Sequence, residues 1–179
     1  MRRSSWLAGM VLLTACAVAV DYPVPAGSSF ESGDVRFVAP TGWEIQQPND
    51  LTNGPGRVVV YLANQPLRDE CGMAESSCTA PLADQLRTGG MLVVWATRSC
   101  AAQFCNLPSA PLVAIGNRQG VMATTDAGCE AMPFTERSAY YVTVTPQRVD
   151  ILLVCARELT DATRSAFLGF LDAIQWRIP

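Results

Sequence analysis

The stretch SAYYVTVTPQRVDILLVCA, residues 138–156, decides the fold. Residues 138–145 and 148–156 are rich in valine, tyrosine, threonine, leucine and isoleucine, most of which favour β-strands. Only Pro146 and Gln147 separate these two segments, and two residues are enough for a tight β-hairpin turn. Because proline cannot donate a ladder hydrogen bond, Pro146 suits the turn better than a strand. The stretch therefore predicts an antiparallel hairpin.

Further strands are predicted before this hairpin. They are short apolar or alternating segments bounded by turn residues, at residues 35–39, 43–46, 57–64, 91–97 and 120–125. The segment MLVVWAT, 91–97, is continuously apolar, which indicates a central strand. Residues 47–56 and 106–111 are rich in turn-forming residues and are predicted as loops. The segment PLADQLRTGG, 81–90, is predicted as a short helix that stops at its two glycines.

A helical period appears in LTDATRSAFLGFLDAIQW, residues 159–176. Thr160 is a good N-cap residue, and Asp161 places a negative charge in the first turn. The apolar residues that recur at helical spacing are Phe167, Phe170, Leu171 and Ile174. The pattern predicts an α+β fold: a mainly antiparallel sheet of about six or seven strands with a C-terminal helix packed on one face. We assign it to one globular domain, residues 34–179.

The composition excludes several classes of catalytic site. The 179 residues contain no histidine, and all 13 basic residues are arginine. Catalytic sites that need histidine or lysine are therefore absent, including Ser-His-Asp triads, imidazole metal ligands and Schiff-base lysines. The net charge is −3, and no basic cluster indicates a nucleic-acid partner. We predict no cofactor, no metal site and no catalytic residue, and an enzyme is the less favoured reading.

The N-terminus has the pattern of an export signal. Two arginines precede a run, residues 6–20, that is apolar except for Thr14. As a helix this run would extend about 22 Å, short of the roughly 30 Å hydrocarbon core of a membrane. Its segment LTAC, 13–16, resembles the lipobox of bacterial lipoproteins. The resemblance implies a signal peptide over 1–15 and a diacylglyceryl group, with palmitate-type chains, on Cys16.

Two other readings of the leader remain open. AVA, 17–19, fits ordinary secretory cleavage after Ala19, which would give a secreted protein. An uncleaved anchor is the third reading. In the lipoprotein reading, residues 16–33 are a lipidated N-terminus and a flexible tether, since proline, glycine and serine are frequent there. The protein is then expected on the extracytoplasmic face of the cell membrane.

Six further cysteines are expected to form disulfides, because exported proteins meet an oxidising environment. Spacing suggests three pairs, which are Cys71–Cys78, Cys100–Cys105 and Cys129–Cys155. The last pair closes the longest loop and should stabilise the fold most. The spacing of CAAQFC, 100–105, differs from the C-x-x-C of thioredoxin-like redox proteins, so a structural bridge is favoured over a thiol–disulfide function.

The chain also resembles a known superfamily. APTGWE, 39–44, follows a strand, a β-meander comes next, and a terminal helix ends FLDAIQW, 170–176. This order is similar to the PsbP-like superfamily, which includes LpqN-type lipoproteins, over most of residues 34–178. The resemblance implies a sheet covered by helices and a binding or scaffold role, without catalytic residues. The chain departs from the superfamily in its disulfide loops and in the short link at 47–56.

Few residues stand out as candidates for a site. Trp43, Trp95 and Trp176 could line a groove, but their apolar neighbours favour the core. Phe104, Met132 and Phe134 are apolar residues in predicted loops, and we name them as candidate partner-binding residues. Three acidic residues lie close together in sequence: Asp69, Glu70 and Glu75. A carboxylate enzyme or a calcium site would need such residues, but a solvated loop explains them more simply.

The function expected from the sequence is a lipid-anchored cell-envelope protein with an extracytoplasmic binding or scaffold domain. Its partners would be the membrane, through the lipid, and an unknown envelope protein or small ligand. One alternative is an envelope enzyme that uses carboxylate chemistry. Another is a thiol–disulfide protein that uses Cys100 and Cys105.

Overall fold

The computed structural model confirms the predicted α+β fold, in which helices cover an antiparallel sheet. It describes residues 27–47, 52–53, 56–67, 79–100, 105–125, 129 and 136–177. The strands are β1 Ser29–Ser32, β2 Val35–Val38, β3 Glu44–Gln46, β4 Thr52–Asn53, β5 Gly56–Ala63, β6 Met91–Ser99, β7 Leu112–Ile115, β8 Arg118–Thr124, β9 Glu136–Thr145, β10 Arg148–Ala156 and β11 Gln175–Trp176. The helices are α1 Thr79–Asp84 and α2 Asp161–Ala173.

The main sheet has the strand order β3-β5-β6-β10-β9-β8-β7, and β4 also pairs with β5. Every pair of neighbouring strands is antiparallel. The predicted hairpin forms from β9 and β10, with Thr145 opposite Arg148 and Pro146-Gln147 as the turn. β6 lies between β5 and β10, so its prediction as a central strand is confirmed.

A smaller sheet, in the order β1-β2-β11, shares a core with α2 on one face of the main sheet. Its centre is aromatic. The Phe37 ring stacks on Phe30 and on Trp95, with ring centroids 5.0 and 5.4 Å apart, and meets Phe170 edge-on at 5.3 Å. On the other face Leu82 of α1 and Leu86, two residues after the helix, pack against β5, β6 and β10. The sheet is therefore buried on both faces at its centre.

α2 confirms the predicted helix, including its cap and its apolar stripe. The Thr160 hydroxyl accepts a hydrogen bond from the Thr163 backbone N–H at 3.1 Å, so Thr160 is the N-cap. The residues predicted to face the sheet are all buried, namely Phe167, Phe170, Leu171 and Ile174.

The prediction for the first helix was wrong in its bounds. α1 covers Thr79–Asp84, not 81–90. Gln85 and Leu86 donate backbone hydrogen bonds to residues three positions earlier, which tightens the last turn and ends the helix. The glycines that were expected to stop the helix instead pair with the end of β10, where Gly89 N–H donates to Arg157 O at 2.7 Å.

Four short strands were not predicted from the sequence patterns. β1, residues 29–32, lies in the segment predicted as a tether, yet it pairs with β2 and buries Phe30. β7 follows the predicted loop at 106–111, and β11 follows α2 and pairs with β2. Within the loop predicted at 47–56, Thr52–Asn53 form β4.

Two predicted disulfides are present in the fold. Cys100–Cys105 has a Cα–Cα distance of 5.4 Å, and Cys129–Cys155 one of 5.8 Å. The second bridge is buried below α1, where Cys155 belongs to β10. The first lies beside the β9–β10 turn, because Cys100 N–H donates to Gln147 O at 2.8 Å and Cys105 N–H to Pro146 O at 3.2 Å. The predicted pair Cys71–Cys78 lies outside the described residues.

Candidate ligand cleft

The α2 face of the main sheet changes from apolar to polar along its central strands. Successive inward residues on β6 are Met91, Val93, Trp95, Thr97 and Ser99. Along the neighbouring β10 they are Ala156, Val154, Leu152, Asp150 and Arg148. Because every second residue of a strand faces the same side, the polar ends of both strands form one surface. This surface lies beyond the aromatic core.

Asp150 is the buried anion of this surface, with 1% of its surface exposed. The Trp95 indole Nε1 donates to Asp150 Oδ2 at 3.0 Å, and the Thr97 hydroxyl donates to Oδ1 at 2.9 Å. Arg148 Nε donates to Oδ1 at 3.1 Å. A buried carboxylate is tolerated when its oxygens are paired in this way. Asp150 is therefore a structural anion whose two oxygens are both engaged.

Arg148 connects the main sheet to the β1–β2 hairpin. Its Nη1 donates to Asp34 in the turn between β1 and β2, while its Nε and Nη2 face Asp150. Burial of the guanidinium opposes its charge, but the two carboxylates outweigh burial and raise the pKa of Arg148 above its usual value. Arg148 is therefore a fixed cation with about one third of its side chain exposed.

A cleft of about 500 Å³ opens above this polar surface. The β1–β2 hairpin forms one wall through Phe30, Glu31, Ser32 and Val35. The main sheet and the end of β3 supply the other described lining residues, which are Gln47, Arg57, Val58, Val59, Thr97, Ser99, Arg148 and Asp150. The volume is in the range of small-molecule sites, roughly 300–1,000 Å³.

Two ion pairs hold the hairpin wall near its turn. Asp34 binds Arg148, as described above, and Glu31 forms an ion pair of 2.5 Å with Arg177 after β11. The Arg177 backbone N–H also donates to Asp34 O at 2.8 Å. The wall is thus attached both to the floor of the cleft and to the C-terminal strand.

Among the described residues, none of the candidates named from the sequence lines this cleft. Trp43, Trp95 and Trp176 are 7%, 0% and 4% exposed, which confirms that they belong to the core. The other candidates lie outside the described residues: Cys16, Asp69, Glu70, Cys71, Glu75, Cys78, Phe104, Met132 and Phe134. In the part of the chain that the structure describes, no three acidic or cysteine side chains are grouped as metal ligands.

Arg148, Asp150 and Thr97 were not among the site residues predicted from the sequence. The signal available was a single aspartate inside the apolar run VDILLVCA, 149–156, because a charge in a central strand must be paired when it is buried. Its partners could not be identified without the register that sets Asp150 opposite Thr97.

Comparison of the chain with protein families, with curated proteins and with solved structures found no match. Among the described residues, no helix has the length and apolar character needed to cross a membrane.

Proposed function

We propose that this protein is a lipid-anchored binding protein of the cell envelope, which holds a small polar ligand in the cleft beside Arg148. The single observation that carries the binding role is the buried Asp150 at the cleft floor. If this position served stability alone, an apolar residue would stabilise the fold more, since a buried ion pair is seldom the most stable choice. Asp150 instead fixes an arginine in the floor of an open cleft.

The proposed location has independent support. The segment LTAC, 13–16, and the resemblance to LpqN-type lipoproteins favour an anchor at Cys16 on the extracytoplasmic face of the membrane. Two acyl chains hold a protein stably at a membrane, whereas one chain holds it only marginally. The disulfides Cys100–Cys105 and Cys129–Cys155 suit an oxidising compartment.

The anchor is tested by expressing the full chain and its Cys16→Ala variant in a bacterial host. We expect the unchanged chain in the membrane fraction, with a mature N-terminus at Cys16 whose intact mass includes the acyl chains. Cys16→Ala should lose both properties, whereas Ser5→Ala, a matched leader variant outside the lipobox, should keep them. A lipid-free N-terminus at Val20 would contradict the anchor and indicate secretion.

The binding role is tested by native mass spectrometry after gentle purification from the envelope. We expect a bound small molecule on the unchanged protein and none on Ser99→Trp, which fills the cleft. Ser109→Trp is the matched control, because Ser109 is exposed in the 106–111 loop and does not line the cleft. Equal ligand occupancy on both variants would show that the ligand binds elsewhere, and would refute the cleft as the binding site.

A further inference from the structure

The formal charges of the described residues around the cleft cancel. Among the described lining residues, Glu31 and Asp150 are negative and Arg57 and Arg148 are positive. The ion-pair partners behind them, Asp34 and Arg177, add one charge of each sign. An ion of either sign therefore finds no excess of opposite charge here, and charge excess is what steers ions into a site.

Arg148 keeps donors for a ligand, but the two carboxylates bound to it oppose an anion there. A guanidinium has five N–H donors, and three of them point to the carboxylates of Asp150 and Asp34. The remaining two have no partner among the described residues. An anionic ligand at those donors would approach the same two carboxylates, and like charges at short distance oppose binding. A neutral hydroxyl oxygen accepts the same hydrogen bonds without that repulsion.

Other polar side chains of the cleft lining can both donate and accept hydrogen bonds. The side chains of Ser32, Gln47 and Ser99 are exposed, and they form no hydrogen bond within the described part of the chain. Hydroxyl and amide groups offer donors and acceptors together, which matches a ligand whose hydroxyls do the same. The partly buried Val59 adds apolar surface between them.

From these observations we infer that the cleft takes an uncharged, hydroxyl-rich ligand: a sugar ring, free or within a glycan. The inference rests on the proposed binding role and gives it a ligand class. Neutral hydroxyls satisfy the free donors of Arg148 and the side chains of Ser32, Gln47 and Ser99. They leave the Asp34–Arg148–Asp150 arrangement intact.

The test uses the mature chain carrying Cys16→Ala, isotopically labelled for NMR. The probes are trehalose, maltose and cellobiose at millimolar concentration, dextran as a polymer, and acetate and phosphate as anions. We expect sugar-dependent changes in the NMR chemical shifts of Ser32, Ser99 and Arg148. The sugar affinity should not depend on salt, because salt does not screen the binding of a neutral ligand. Shifts with dextran but not with disaccharides would assign the site to a glycan chain.

Matched variants and the anion probes decide the outcome. Ser99→Trp should abolish the shifts, Ser109→Trp should keep them, and Gln47→Ala should weaken the sugar affinity about tenfold. Shifts with acetate or phosphate alone would overturn the neutral ligand class while leaving the binding role in place. If the folded protein responds to no probe, or if the shifts persist in Ser99→Trp, the inference is wrong, and the native mass measurement judges the binding role separately.

Discussion

Arg148 and Asp150 lie two residues apart on β10 and share one face of the sheet, where Arg148 Nε donates to Asp150 Oδ1 at 3.1 Å. The spacing produces the contact, because alternate residues of a strand project to the same side. The pair lies at the junction of three parts of the molecule: the apolar core below, the β1–β2 hairpin beside it, and the cleft above. Its removal should therefore affect stability.

The first prediction concerns that pair. Asp150→Asn keeps the side-chain shape but removes the charge that faces a partly desolvated arginine. We expect the free energy of unfolding to fall by about 2 to 3 kcal/mol, since breaking a buried pair leaves the other charge uncompensated. Urea unfolding measures the change. Asp172→Asn, at an exposed position of α2, is the charge-matched control, and equal effects of the two substitutions would contradict the structural role of Asp150.

The second prediction ranks the two described disulfides. Removing Cys129–Cys155 by two alanine substitutions should cost about 3 to 4 kcal/mol, and removing Cys100–Cys105 about 2 kcal/mol, because the longer loop restricts the unfolded chain more. Unfolding in urea, with both variants purified under oxidising conditions, gives the comparison. The reverse order would mean that contacts in the folded state, and not loop length, set the contribution of each bridge.

The third prediction compares two glycines. Gly116, in the turn between β7 and β8, has a φ of 60°, and a Cβ there would lie 1.7 Å from the carbonyl oxygen of Ile174. Gly116→Ala should therefore lower the free energy of unfolding by about 3 kcal/mol or more, through overpacking and backbone strain.

Gly169 provides the internal control. It lies on α2, and a Cβ there would meet nothing within 4 Å. Gly169→Ala should raise the free energy of unfolding by about 0.5 to 1 kcal/mol, because alanine favours a helix over glycine. Thermal unfolding of both variants, recorded side by side, should show shifts of opposite sign. A stabilising Gly116→Ala would show that β7 does not approach the end of α2 as described.

The fourth prediction concerns pH. Burial of the Tyr140 phenol, followed by the nearby negative charge of Glu136, raises the pKa of Tyr140 above its usual value. As the pH rises, the Tyr140 phenol therefore loses its proton in the unfolded chain, at about pH 10, before it does so in the folded protein. The contribution of Tyr140 to stability is therefore complete below pH 10 and is lost as the pH rises from there through the raised pKa.

Comparison with Tyr140→Phe isolates this contribution. Phenylalanine cannot ionise, so the stability of the unchanged protein relative to the variant should decline above pH 10 and stay constant between pH 7 and pH 9. Denaturant unfolding across this range provides the test. A difference that is independent of pH would show that Tyr140 ionises equally in the folded and unfolded states.

Long apolar runs made much of the fold predictable. β6, β10 and the Phe167–Ile174 stripe of α2 each carry enough apolar residues to show their period. β1 and β11 contain four and two residues, with one buried residue each, and so few residues cannot display a period. Pairing with β2 stabilises both strands, and for β11 that contact connects distant parts of the chain.

The cleft was less accessible to sequence reasoning. Asp150 is visible as a charge in an apolar run, but its donors Trp95 and Thr97 come from β6. Arg148 lies on the same face as Asp150, two residues away on β10, but its second partner, Asp34, comes from the β1–β2 hairpin. The hydrophobic pattern of a strand does not show contacts of this kind between distant segments.

The pairing of β11 with β2 has a consequence for the order of folding. Trp176 lies opposite Val35, so the smaller sheet joins segments near the beginning and the end of the described residues. Contacts between such distant residues form late, because the loop between them must close first. A chain that emerges with its N-terminus first can build β6 and β10 early, but it cannot fix the hairpin wall until residues 175–177 arrive. The cleft is therefore completed last, and a chain truncated before β11 should retain the main sheet but not a fixed hairpin wall.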